Sequence, residues 1–238
     1  MSSGMRLVGE TDGRELGRMS EIGIAAGLRQ SPANRPAQTG QPIVAFDFDG
    51  TLTIRDSFTE FLKWRAGRGG WILGLVTLAP ALAAYIGDRD RGRIKAASVK
   101  QFLGGVHRET LTAEAEAFAD EVWSRFMRPD ALACWNDWGL KGAHRVIVTA
   151  SPAETVGPFA RRLKADALLG TSLDFDADGR VTGAFSGPNC RGEEKVRRLR
   201  EAYGADVKIV AAYGDTSGDT EMLAMADAPG FRVFTGRP

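Results

Sequence analysis

Short, uninterrupted apolar runs that end abruptly in polar residues punctuate the chain from Pro42 onward. Ile43-Val44-Ala45-Phe46 runs into Asp47-Phe48-Asp49-Gly50-Thr51, Val146-Ile147-Val148 into Thr149, and Val207 to Ala212 into Tyr213-Gly214-Asp215. A run of this length without alternation marks a strand buried on both faces, as in a parallel sheet. Between these runs the spacing becomes helical. Ser57 with Glu60 has the spacing of a capping box and predicts a helix through Phe61, Leu62 and Trp64. Further helices are predicted near 94–103 and 112–127, after Ser151 with Pro152 at the first position, from Glu193 to Tyr203, and from Asp219 to Ala226. Two strand-like pieces, Thr171 to Phe175 and Arg180 to Phe185, flank Asp176-Ala177-Asp178-Gly179 and predict a β-hairpin; Phe231 to Phe234 predicts a last strand.

Strands separated by helices predict an α/β fold: a doubly wound, Rossmann-like parallel sheet, with the all-helical stretch inserted after the first strand as a cap. The core then comprises residues 41–56 and 140–238, and the cap residues 57–139. Residues 1–40 are rich in Gly, Ser, Arg, Gln and Pro and hold no sustained period, so they read as a disordered leader. A weak helical pattern spans Glu21 to Leu28, and Met5 and Met19 offer alternative starts.

At 238 residues, 43% hydrophobic and 26% charged, the chain has the composition of a soluble globular protein, which excludes global disorder and collagen-like sequence. Thirty-one basic against thirty acidic residues give a net charge of +1, without the basic footprint of a nucleic-acid binder. Cys134 and Cys190 lie too far apart for a metal-type pair and read as reduced cytosolic thiols, and His107 and His144 as surface or cap histidines. No secretory signal opens the chain and no uninterrupted apolar run is long enough for a transmembrane helix.

In a doubly wound fold, ligands bind at the carboxyl ends of the strands. Those ends carry Asp47 and Asp49, then Thr149 leading into a helix N-terminus, then Asp215 and Asp219 around the turn Gly214, Ser217, Gly218. Four carboxylates in one crevice repel one another unless a cation offsets them, and the hard, oxygen-seeking ion that fits is Mg²⁺. A carboxylate nucleophile, a metal and an anion cradle define phosphoryl transfer through an aspartyl-phosphate, with Lys195 the candidate lysine.

The set Asp47-Phe-Asp-Gly-Thr-Leu-Thr53, Val-Ile-Val-Thr149, Lys195 and Gly214-Asp215-Thr-Ser-Gly-Asp219 resembles the four signature motifs of the haloacid dehalogenase superfamily of phosphohydrolases. The resemblance implies Asp47 as nucleophile and Asp49 as general acid and base, with a pKa raised by acidic neighbours and burial. It implies Thr149, Lys195 and Gly50 as phosphoryl-binding, and Asp47, Asp49 (through its backbone carbonyl), Asp215 and Asp219 as the Mg²⁺ site. Ser151 reads as a helix N-cap or, alternatively, a phosphate contact.

The helical insertion and the hairpin after the second motif resemble the phosphoserine-phosphatase-like branch, which implies Asp56 in substrate recognition. That branch usually carries GDGxND in the last motif, whereas Gly218 stands here in place of the asparagine. Trp71 to Ile86 is apolar around its circumference and free of charge, so it should dip into a bilayer and return, lie in the interface, or pack inside the cap, with Pro80 suited to a break. Arg65, Arg68, Arg89, Arg91 and Arg93 flank it and can meet anionic headgroups or remain a solvated face. This segment and Cys190-Arg-Gly-Glu-Glu-Lys195-Val are similar to the bacterial phosphatidylglycerophosphate phosphatases of the C type. The resemblance implies a phosphomonoesterase acting on a membrane lipid phosphate, cytoplasmic and associated with the inner membrane's cytoplasmic face. A phosphatase of a soluble metabolite such as phosphoserine is the alternative. A catalytically weak adaptor that binds phosphate or membrane is a third reading, opposed by the presence of both Asp47 and Asp49.

Overall fold

A computed structural model describes Met1 and residues 34–88 and 91–238, the side chains of 80–93 excepted. The weak helix at 21–28, the early methionines and the side chains of Arg89, Arg91 and Arg93 lie outside the described residues. Residues 34 and 35 already lie along the core: the Arg35 N–H donates to the Asp166 carbonyl at 3.0 Å, and Asn34 Oδ1 accepts the Leu168 N–H at 3.3 Å.

The first apolar run forms β1 (Ile43–Phe46), buried at every position. A strand buried on both faces needs partners on both edges, and β1 pairs in parallel with β2 (His144–Pro152) on one side and β5 (Ile209–Gly214) on the other. The sheet continues through β3 (Ala167–Phe175) to β4 (Val181–Ser186), and through β5 to β6 (Ala226–Phe231), in the order β4-β3-β2-β1-β5-β6. Every pair is parallel except β3 with β4, the antiparallel hairpin. The chain winds outward from β1 in both directions, so the crevice of such a sheet falls at the carboxyl end of β1.

Four helices separate β1 from β2: α1 (Ser57–Asp88), α2 (Arg91–Leu103), α3 (Arg108–Phe126) and α4 (Pro129–Leu140). The departure and return of α1–α3 run side by side as a neck ahead of α4, where the Ile54 N–H donates to the Phe126 carbonyl and the Arg128 N–H to the Leu52 carbonyl, each at 2.9 Å. Helix α4 packs on the sheet itself. Trp135 meets the edge of Phe46 at 5.0 Å and donates its indole N–H to the Leu163 carbonyl at 3.0 Å. α5 (Ala153–Arg162) follows β2, and α6 (Glu193–Tyr203) and the short α7 (Thr220–Ala224) cover the opposite face with Ala45, Val148 and Leu199.

Several local expectations change. Helix α1 is capped by Asp56, whose Oδ1 accepts the Thr59 N–H at 2.7 Å, and not by a Ser57 capping box; the Ser57 N–H is drawn to Asp49 instead and its hydroxyl has no partner among the described residues. The helix breaks at Gly67 (φ 64°) and its backbone continues through Pro80, because a glycine reaches the left-handed region without steric cost. The last strand lies at 226–231 rather than 231–234, with Pro229 tolerated because β6 is an edge. The segment 71–79 divides into two faces. Trp71 stacks on Phe102 at 5.1 Å and Leu78 is buried, whereas Ile72, Leu73 and Val76 are 64%, 68% and 66% exposed. Among the described residues no helix is long and apolar enough to cross a membrane.

Candidate active site

Asp47 is the first residue past β1, and its N–H extends the ladder by donating to the Tyr213 carbonyl at 2.8 Å. The turn that follows needs a left-handed residue, and Gly50 supplies it at φ 80°. A Cβ there would lie 2.3 Å from Asp215 Oδ2, so only glycine lets the turn approach that carboxylate. Thr51 adds a hydroxyl contact to Asp215 Oδ1 at 3.5 Å.

Lys195 enters from the first turn of α6 and is buried. Its ammonium lies 2.6 Å from each of Asp47 Oδ1, Asp219 Oδ1 and the Val148 carbonyl, which uses all three of its donors. Burial opposes its charge, but the two carboxylates outweigh burial and hold its pKa above the ordinary lysine value. Asp219 is fixed in turn: Oδ2 accepts the N–H groups of Asp215 and Thr216 at 3.2 and 2.9 Å. Burial pushes Asp219 up, and the Lys195 charge and these hydrogen bonds bring it below the usual carboxylate range.

Asp49 sits across the crevice. It accepts the Ser57 N–H and the Ser151 hydroxyl at 2.6 Å each, with the Thr149 hydroxyl at 3.4 Å. Burial raises its pKa, Asp56 adds to the rise, and the hydrogen bonds from Ser151 and Ser57 only partly oppose it, so the carboxyl is suited to carrying a proton. Asp47 is pushed from 3.8 to about 7, mainly by burial, with Asp219 and Asp49 adding repulsion against the pull of Lys195. Asp215 is raised too, first by burial and then by Asp219.

Asp47, Asp215 and Asp219 each present a carboxylate oxygen within 4.8 Å of the others. Partly desolvated oxygens at this spacing, two of them with raised pKa values, form a donor set that fits a hard divalent cation such as Mg²⁺. Lys195 takes Asp47 Oδ1 and Asp219 is engaged on both oxygens, which leaves Asp47 Oδ2 and the Asp215 carboxylate as the available ligands. The Asp49 carboxylate is not in this cluster.

The remaining expected residues are placed as follows. Ser151 does not cap α5; it lies at the end of β2 and is aimed at Asp49, because the strand runs on through Pro152. Thr149 is fully buried and accepts the Ser151 N–H at 3.0 Å. The Gly50 N–H points to Thr53 Oγ1 at 3.3 Å. Asp56 lines the cavity while capping α1.

The cavity has a volume of about 360 Å³. Asp47, Asp49 and Lys195 line one part of it, and Phe58, Leu62, Trp71 and Ile94 supply apolar wall. Two cations on its lining escape notice in the sequence. Lys95 of α2 reaches the Ala150 carbonyl and lies over the rings of Phe58 and Phe185 at 5.7 and 6.0 Å; burial lowers its pKa. Arg191 precedes α6 and donates to Ser217 Oγ at 2.9 Å. The one available signal for Lys95 is the spacing of Ile94, Lys95 and Ser98 on a single helix face, and for Arg191 the glycine at 218 that makes room for it.

Protein CicA of Caulobacter vibrioides is 54% identical over 216 residues, covering 90% of this chain and 97% of that one. A protein named phosphoserine phosphatase from Halobacterium salinarum is 30% identical over 189 residues, covering 77% and 82%. A substrate-bound phosphoserine phosphatase structure shares the fold at TM-score 0.56 and 17% identity, covering 82% of this chain and 87% of that one. A Bordetella pertussis Tohama I structure of unknown function does so at 0.67 and 22%, covering 79% and 88%. The haloacid dehalogenase-like hydrolase family matches residues 44–224, a span that holds all five strand-end residues described above, and the chain belongs to that family.

Proposed function

We propose that the protein is a Mg²⁺-dependent phosphomonoesterase that works through an aspartyl-phosphate on Asp47, with a membrane lipid phosphate such as phosphatidylglycerophosphate as substrate. The chemistry rests on the pairing of Asp47 with a proton-bearing Asp49 at one mouth of the cavity. A carboxylate oxygen of Asp47 attacks phosphorus as the bond to the leaving oxygen breaks, and Asp49 gives that oxygen its proton. Asp49, now ionised, takes a proton from water; the water oxygen attacks phosphorus, the bond to Asp47 breaks, and inorganic phosphate leaves. Lys195 holds Asp47 in place throughout, and Asp219 holds Lys195. Asp47 and Asp215, with the Asp49 backbone carbonyl as the resemblance implies, would hold Mg²⁺, which when bound would supply positive charge to the phosphoryl oxygens. The helical segment 57–139 serves as a cap over this site, and the packing of α4 on Phe46 favours counting that helix with the core.

The observation that favours a lipid is the continuity of apolar surface along α1. Leu62 and Trp71 wall the cavity, and Ile72, Leu73 and Val76 follow on the outside of the same helix. Such a surface suits acyl chains at the cytoplasmic face of a membrane. The second reading, a soluble ester such as phosphoserine, is favoured by the relative of that name. Phosphate release with Mg²⁺ from phosphatidylglycerophosphate in mixed micelles, beside phosphoserine and a soluble panel, separates them. Lipid preference supports the reading, phosphoserine preference replaces it, and Asp47→Asn serves as the blank. An Asp47→Asn variant with full biological activity would favour the adaptor instead.

A further inference from the structure

Every donor expected to hold the phosphoryl group is already committed inside the protein. Lys195 spends its three N–H groups on Asp47, Asp219 and the Val148 carbonyl. The Thr149 and Ser151 hydroxyls face Asp49, and the Gly50 N–H faces Thr53. Lys195 is also flanked by two carboxylates, so its charge is largely offset before substrate arrives. A phosphoryl dianion entering beside Asp47 therefore meets few open donors from this set.

Arg191 lies on the same cavity lining as Asp47, Lys195 and Asp219. It is half-buried, and among the described residues its guanidinium has a single hydrogen-bond partner, the neutral Ser217 hydroxyl, against five N–H donors. Its place depends on Gly218: a Cβ there would fall 2.6 Å from Arg191 Nε and 2.7 Å from its Cγ. The stem of the arginine thus occupies the space that a side chain at 218 would fill. Lys95, the other cation on the lining, is held by the Ala150 carbonyl and two aromatic faces.

We propose that Arg191 is a phosphoryl-binding residue, its guanidinium taking oxygens of the transferring group from the Gly218 side. The planar fork suits two parallel hydrogen bonds to a phosphoryl group, which a lysine ammonium cannot duplicate. The assignment rests on the phosphatase reading above.

The test measures inorganic phosphate binding by calorimetry with Mg²⁺ present, together with kcat/KM on p-nitrophenyl phosphate, phosphoserine and phosphatidylglycerophosphate. Arg191→Gln should weaken phosphate binding by about ten- to hundredfold and lower kcat/KM on every ester turned over by a similar factor, the effect of losing charge-assisted hydrogen bonds. Gly218→Ala should act in the same direction by displacing the arginine, and Arg191→Lys should fall between. Unchanged phosphate affinity in Arg191→Gln overturns the proposal, as does a loss confined to one ester. Should Arg191→Gln fail to fold, unchanged phosphate affinity in Gly218→Ala or a wild-type value for Arg191→Lys overturns it equally. Arg191-dependent phosphate binding in a wild type without phosphatase activity would sink the enzyme reading and leave this assignment standing.

Discussion

Lys195 and Asp47 meet at 2.6 Å although 148 residues separate them in the chain, and both are buried. A buried cation between two carboxylates is costly to remove, since its loss strands both carboxylates without a counter-charge. Lys195→Ala should lose about 3–5 kcal/mol of stability along with activity. Asp47→Asn should lose activity while keeping wild-type stability or better at pH 8, because Lys195 retains Asp219 and a desolvated carboxylate is removed. Urea denaturation of both variants checks the contrast; equal destabilisation would contradict it.

The raised pKa of Asp47 carries a pH signature in the metal-free protein. Between the ordinary 3.8 and about 7, the folded chain holds a proton that the unfolded chain has released. The contribution of Asp47 to stability then falls as pH rises through that window, whereas His144 and Glu194, whose pKa values are lowered, contribute in the opposite direction. Asp49 and Asp215, also raised, act in the same direction as Asp47, whereas the contribution of Asp219 is lost only in more acid solution and that of Lys195 is constant here. Added Mg²⁺ should flatten the slope by stabilising the ionised cluster. Melting curves from pH 4 to 8, with and without metal, read this directly.

Gly50→Ala places a methyl group against Asp215 and forces alanine into the left-handed region. The conformational cost alone is about 1–2 kcal/mol. Because the turn and Asp215 must part, Mn²⁺ affinity should fall further than stability does, which a metal titration on the folded variant measures.

Replacing Ile72, Leu73 and Val76 together by serine should leave the melting temperature nearly unchanged, since exposed positions shift stability within about 0.5 kcal/mol each. Turnover of a soluble ester should hold, and turnover of a lipid phosphate in anionic liposomes should drop. A parallel loss on both substrates would point to cap packing instead.

The strand ends were legible because a buried run that stops at Asp47, Thr149 or Asp215 leaves a polar residue at a sheet terminus whatever the tertiary detail. The hairpin was equally plain from Asp176 to Gly179. Choices between neighbours were not. Asp56 and Ser57 can each cap a helix, and it is distant Asp49 that decides by claiming the Ser57 N–H. Edge strand β6 has no β-branched residue and exists through its pairing with β5. Lys95 and Arg191 look in sequence like any solvated cations, and only the packing of Phe58, Phe185 and Gly218 aims them inward.

The neck at Leu52–Ile54 and Phe126–Arg128 has a bearing on how such a chain can change over time. Two backbones that are already hydrogen-bonded where the helices leave and rejoin the sheet make the excursion between them a closed loop. The entropy of closing a loop grows only with the logarithm of its length. An insertion of almost any size can therefore be exchanged at this point, or trimmed to a tight turn, without shifting the register of β1 against β2. The register of the sheet is insulated from the length of that excursion, while Phe118 and Phe126 against Phe159 still tie the side chains of the two parts together.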